Sequence, residues 1–188
     1  MEFQLYLLRT MKPPKHLLAH ALDLLGRTEE EMRKAADAVS RALRPQLGTA
    51  EPVTTVADFL HTTLSGGRLP RPDDDRNFYR IPLWEEFIFE ASFGCSGRFI
   101  EQAKFTGDPS RRLPDGEPEA WNFLEDDLSQ RFTEIQEIDE WGHYRTYLAR
   151  APESGDMFFL RFAWGVLQQI EPVPEAPDRT RDPSAETS

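Results

Sequence analysis

The chain has 188 residues, one cysteine, and 33 acidic against 22 basic side chains. That length suits one domain able to bury a core without a disulfide or metal, and a lone cysteine excludes an intrachain disulfide. The formal net charge of −11 weighs against a general nucleic-acid binder, which presents a basic stripe to phosphates.

No apolar run approaches the ~20 residues of a membrane-spanning helix. The N-terminus shows neither a basic region ahead of its apolar run nor a small-residue cleavage site. No signal peptide is expected, and the expected compartment is the cytoplasm.

Glu2–Arg9 alternates, with Phe3, Leu5 and Leu7 on one face, which predicts a short strand at a sheet edge. Pro13 and Pro14 break the pattern and pre-set a first helical turn. A helix is predicted over Lys15–Leu25, with Leu17, Leu18, Ala21, Leu22 and Leu25 on its buried side. Thr28 with Glu31 three residues later forms a capping box for a second helix. Met32, Ala35, Ala36 and Val39 follow at helical spacing, and Pro45 and Gly48 stop it. These two helices are expected to form a hairpin that covers a sheet.

Val53–Leu64 predicts a third helix, begun near Thr54 or Thr55. Ser65–Asn77 is a Gly-, Pro- and Asp-rich loop. Phe78–Phe105 predicts sheet, with Phe87, Phe89, Ala91 and Phe93 alternating against polar neighbours and a turn at Gly94-Cys95-Ser96-Gly97. Pro118–Gln130 predicts a short helix with Trp121, Leu124 and Leu128 on one side.

Arg131–Ile170 reads as a β-meander of three runs, separated by turns at Asp139–Gly142 and Glu153–Asp156. In its last run Phe158, Leu160, Phe162 and Trp164 share one apolar face, which is expected to meet the core. Residues 171–188 are rich in proline and lack aromatics, so a disordered acidic tail is expected after a domain over 1–170. The expected fold is α+β: one antiparallel sheet of five or six strands, made of a hairpin and the C-terminal meander and covered by an N-terminal helical hairpin.

Chemistry-bearing motifs are sparse. His16 and His20 are four apart with Asp23 beyond, yet the HLLAH run lacks the glutamate of a helical zinc-protease motif and reads as a polar stripe. Cys95 stands in GCSG without a catalytic-cysteine signature, so the glycines read as turn formers. Glu85, Glu86 and Glu90 read as the solvent face of a strand. Gly66-Gly67-Arg68 lacks phosphate-loop spacing. No catalytic set, metal site or cofactor is expected.

The acidic block is the feature with functional content. Residues 117–140 hold nine acidic side chains against Arg131 alone. Glu125, Asp126, Asp127, Glu134, Glu137, Asp139 and Glu140 are interleaved with Trp121, Phe123 and Trp141. Such density speeds encounter with a basic protein, and exposed tryptophan supplies an anchor. The expectation is a non-enzymatic, inhibitor-like, antitoxin- or immunity-like, or adaptor module that engages a basic protein partner. Neither nucleic acid nor membrane is an expected partner, and self-association stays open. One alternative is a small-molecule binder or enzyme with Cys95, His143, Tyr144, Arg145 and Tyr147 lining a pocket between sheet and helices. Another is a structural subunit with an open apolar sheet face.

Overall fold

The computed structural model describes residues 1–43, 56–64, 68–69, 76–94 and 99–174. Among them are five α-helices: α1 (Glu2–Met11), α2 (Lys15–Leu25), α3 (Glu29–Ala42), α4 (Val56–Thr63) and α5 (Leu128–Arg131). Strands β1 (Arg68–Leu69), β2 (Arg76–Arg80), β3 (Phe87–Gly94) and β4 (Phe99–Gly107) form one antiparallel sheet in chain order. Strands β5 (Thr133–Trp141), β6 (Tyr144–Arg150), β7 (Met157–Ala163) and β8 (Val166–Pro172) form a second. The class is α+β with N-terminal helices on sheet, as expected, but two four-stranded sheets replace the single one. No described helix is long and apolar enough to cross a membrane.

Glu2–Arg9 is helix, not strand. Phe3, Leu7 and Met11 recur every four residues and are essentially fully buried, as is Leu8. Leucine favours helix, and Thr10 is the one β-branched residue in the segment. This helix is the inner layer of the cover. It packs along α3, and Phe3 meets Phe89 of β3 edge-on at 5.4 Å. Outside it, α2 buries only Ala21 and Leu22.

The predicted capping box is present: Glu31 N–H donates to Thr28 Oγ1 at 3.2 Å, and Thr28 N–H donates to Glu31 Oε2 at 2.9 Å. The expected turn at 94–97 and the start of the third helix fall largely outside the described residues.

The meander has four strands because its last run divides. Trp164 at φ 53° and Gly165 at φ 79° turn the chain between β7 and β8. A continuous strand there would far exceed the usual length of about 5–6 residues. Strand β8 runs on to Pro172, past the expected domain boundary. Residues 175–188 of the expected tail lie outside the described residues.

The predicted helix over Pro118–Gln130 is mostly absent. Instead residues 121–124 lie along β8: Trp121 N–H donates to Leu167 O at 2.9 Å, and Leu167 N–H donates to Phe123 O at 2.9 Å. A bridge joins Leu124 to Val166. An otherwise open sheet edge recruits this segment as cover, and satisfying those backbone groups outweighs local helix propensity. Helix begins only with a 3-10 turn at Glu125–Asp127, followed by α5.

Two buried clusters result. One joins α1, α3 and α4 to the first sheet around Phe3, Tyr79, Phe89 and Phe105. The other lies under the meander around Phe123, Leu160 and Phe162. Of the predicted inner face of β7, Leu160 and Phe162 are buried here, Phe158 is half-buried against them, and Trp164 stands in the turn and joins the first cluster. The sheets meet where Phe105 N–H donates to Trp164 O at 2.7 Å.

Candidate functional site

The base of the β5–β6 hairpin is tied to the end of α1. His143 Nε2 lies 3.1 Å from Thr10 O and donates to it, Tyr144 OH donates to the same oxygen, and Trp164 Nε1 donates to Thr10 Oγ1 at 3.0 Å. The first two bonds satisfy a carbonyl that a helix C-terminus leaves without an internal partner. The His143 ring stacks on Trp164 with centroids 4.4 Å apart. Burial pushes the His143 pKa below the ordinary imidazole value; the Thr10 bond opposes this, and the Lys12 charge adds to it.

This anchor fixes β5, whose outer edge is open. All nine residues of β5 are exposed, among them Ile135 at 38%, Ile138 at 45% and Trp141 at 73%. Trp141 lies nearly parallel to Tyr144, with centroids 6.2 Å apart. The pairing with β6 is irregular between Thr133 and Gln136 and again between Glu137 and Asp139. Such bulges disrupt a ladder and discourage edge-to-edge pairing.

Many of the acidic side chains have internal partners. Glu134 pairs with Arg150 at 3.0 Å, and Asp126 with Lys104 at 2.8 Å. Arg145 is shared between Glu140 at 2.7 Å and Glu125 at 3.2 Å. Tyr147 OH reaches Glu125 at 2.6 Å and Glu137 at 3.2 Å. Burial, then the Glu125 bond and charge, raises the Tyr147 pKa, so the phenol keeps its proton. Glu137 and Asp139 have no cationic partner among the described residues.

Three residues of the expected surface are drawn inward: Phe123 is in the core under the meander, Asp127 is buried and Trp121 is half-buried. Asp127 is 6% exposed. Its carboxylate accepts from Arg111 Nη1 at 2.8 and 3.1 Å and from Leu124 N–H at 2.9 Å. The same guanidinium donates to Asn122 O at 2.7 Å and lies 5.0 Å from the Phe87 ring. Trp121 is half-buried against Trp84 and donates from Nε1 to Gln168 Oε1 at 3.0 Å. Nothing local in the acidic run distinguishes Asp127 from Asp126; the arginine that claims it lies in a distant loop. Glu125 is half-buried too, its side chain 17% exposed beneath Arg145 and Tyr147; Asp126, Glu134, Glu137, Asp139, Glu140 and Trp141 are exposed.

Beside this edge lies a groove of about 870 Å³ between β4 and the β5–β6 turn. Of the residues expected to line a pocket, His143 and Arg145 do so. Tyr147 stands behind Glu125, Tyr144 turns towards α1, and Cys95 lies outside the described residues. The groove lining that the sequence did not suggest includes Tyr6, Glu90, Trp164 and Ile100–Lys104 of β4. His16 and His20 are exposed, and no group of three or more potential metal ligands occurs among the described residues. Comparisons with protein-family models, with curated proteins and with solved structures give no match, so the functional reading rests on this geometry.

Proposed function

We propose that this protein is a non-enzymatic binding module that presents the β5 edge and its acidic side chains to a basic protein, in the manner of an inhibitor, an immunity-like protein or an adaptor. The observation that carries this reading is β5 itself, exposed at every position with Ile135, Ile138 and Trp141 set among Glu134, Glu137, Asp139 and Glu140. Apolar anchors within a charged surround match the anatomy of a protein interface. Like charges along the strand oppose its pairing with a second copy, whereas a basic partner gains from them.

The test is capture of partners from a lysate of the protein's own source at low and moderate salt. The control carries Glu137→Lys, Asp139→Lys and Trp141→Ala. These positions are exposed and hold no ion pair with the protein's own cations. A stoichiometric basic protein, weakened by salt and lost from the control, supports the reading. Equal capture by the control overturns the surface assignment.

A further inference from the structure

The groove beside the acidic edge has a backbone floor. In antiparallel pairing, residues opposite each other alternate between exchanging hydrogen bonds and turning both their N–H and C=O outward. Phe105, opposite Phe89, donates its N–H to Trp164 O at 2.7 Å and so turns away from β3. Ala103, opposite Ala91, is two residues along both strands and therefore turns the same way. Neither its N–H nor its C=O has a partner among the described residues. The β7–β8 turn covers β4 at Phe105 and then leaves it, and the groove continues along Ile100–Lys104.

Strand β4 thus differs from β5. From Gln102 to Gly107 its pairing with β3 is regular, and its one register shift among the described residues falls at Glu101, between Gln102 and Ile100, so the stretch of edge around Ala103 lacks the bulges that guard β5. Five residues of strand extend about 17 Å, which suits an extended chain better than a compact metabolite. Ile100, Tyr6 and Trp164 offer apolar and aromatic surface to alternate side chains.

The charges select the chain. Among the lining groups, Glu90 pairs with Arg76 at 2.6 Å, and Lys104 is held by Asp126. Arg145 is a single cation between Glu125 and Glu140. Glu101 has no cationic partner among the described residues. The lining therefore keeps an excess of carboxylate.

We infer that the groove receives an extended segment of the partner, bearing lysine or arginine, which adds as a strand to the outer edge of β4 between Ile100 and Lys104. This rests on the basic-partner reading and adds to it the mode of engagement.

The probes are blocked peptides as long as this open edge: one alternating lysine and valine, its glutamate-valine counterpart, and the lysine peptide N-methylated on one hydrogen-bonding edge. The readouts are affinity by titration and the amide exchange rate of Ala103 by NMR. The lysine peptide is expected to bind and to slow Ala103 exchange about tenfold or more, and N-methylation or glutamate to weaken binding about tenfold, near the upper end of one hydrogen bond's net worth. Ala103→Pro, which removes a donor that β3 does not use, should abolish protection along the edge. Because that variant perturbs β4, Glu101→Lys serves as a second, fold-neutral test and should weaken the lysine peptide.

Three outcomes overturn the inference. The lysine peptide fails to bind; it binds with Ala103 exchange unchanged; or Ala103 is already protected in the free protein, which means the chain itself fills the groove. Failure here with intact, salt-sensitive capture through β5 would sink strand addition alone. Loss of capture with Ala103 protection retained would sink the β5 surface alone.

Discussion

His143 donates from Nε2 to the carbonyl oxygen of Thr10 across 133 positions of sequence. The bond joins the last turn of α1 to the hairpin that carries the acidic edge. Its donor is a neutral imidazole whose second proton burial disfavours.

A pH dependence follows. The folded-state pKa of His143 lies below its ordinary value of 6.5, so the unfolded chain takes up the proton first. The stability contribution is complete above the unfolded pKa and is lost as pH falls through the folded one. Urea unfolding between about pH 7.5 and pH 5 should show stability falling with pH. His143→Gln, which keeps a donor but cannot titrate, should flatten that slope. Asp108 acts in a separate window. Its bonds to Ser110, with Arg80 adding, hold its pKa down to about 2, so its contribution is complete above the ordinary carboxylate value and is lost as pH falls from there through the folded one.

The Arg111–Asp127 pair is buried on both sides. Asp127→Ala leaves a guanidinium without its counter-charge and Leu124 N–H without its acceptor. A cost of about 3–5 kcal/mol is expected for breaking such a pair. Arg111→Ala should cost a similar amount, and the double variant less than the sum, as read by denaturant midpoints in a double-mutant cycle.

Gly165 has φ 79°, and a Cβ there would lie 2.9 Å from Phe105 O. Gly165→Ala combines an unfavourable backbone region with a clash against backbone. It should destabilise the protein by about 1–3 kcal/mol, seen as a lowered Tm. Gly142 has φ 62° but nothing within 4 Å of such a Cβ, so Gly142→Ala should cost less.

Trp141 and Phe162 separate binding from stability. Trp141→Ala removes a ring that is 73% exposed, so its effect on unfolding should stay within about 0.5 kcal/mol while partner capture falls. Phe162 is 1% exposed, and Phe162→Ala should cost about 3–5 kcal/mol. If Trp141→Ala left capture intact, the ring would not be an anchor.

Elements with a strong local signature were legible in the sequence: α2 from its apolar stripe, α3 from Thr28 and Glu31, β7 from its alternating aromatic face. The first helix was not, because Phe3, Leu5 and Leu7 satisfy a period of two as well as they satisfy burial all round. Residues 121–124 were not, because their conformation answers to the backbone of β8, forty-odd positions away. The acidic block was legible as composition. Its division into surface and interior depended on Arg111, Lys104, Arg145 and Arg150, each brought up by tertiary folding. The groove had no signature at all, since an open strand edge is a property of a neighbour's absence.

The bond from Trp164 to Thr10 spans 154 positions, and that span sets an order of events during synthesis. Each sheet is built from strands adjacent in the chain and can close as it emerges from the ribosome. The first helix leaves first, yet Thr10 meets His143 and Tyr144 only after more than a hundred further residues, and its full set of partners only once Trp164 has emerged. Until then the side chains of Phe3, Leu7 and Met11 lack part of their final surroundings. A nascent chain halted before Trp164 should therefore be a better chaperone substrate than one released just beyond it.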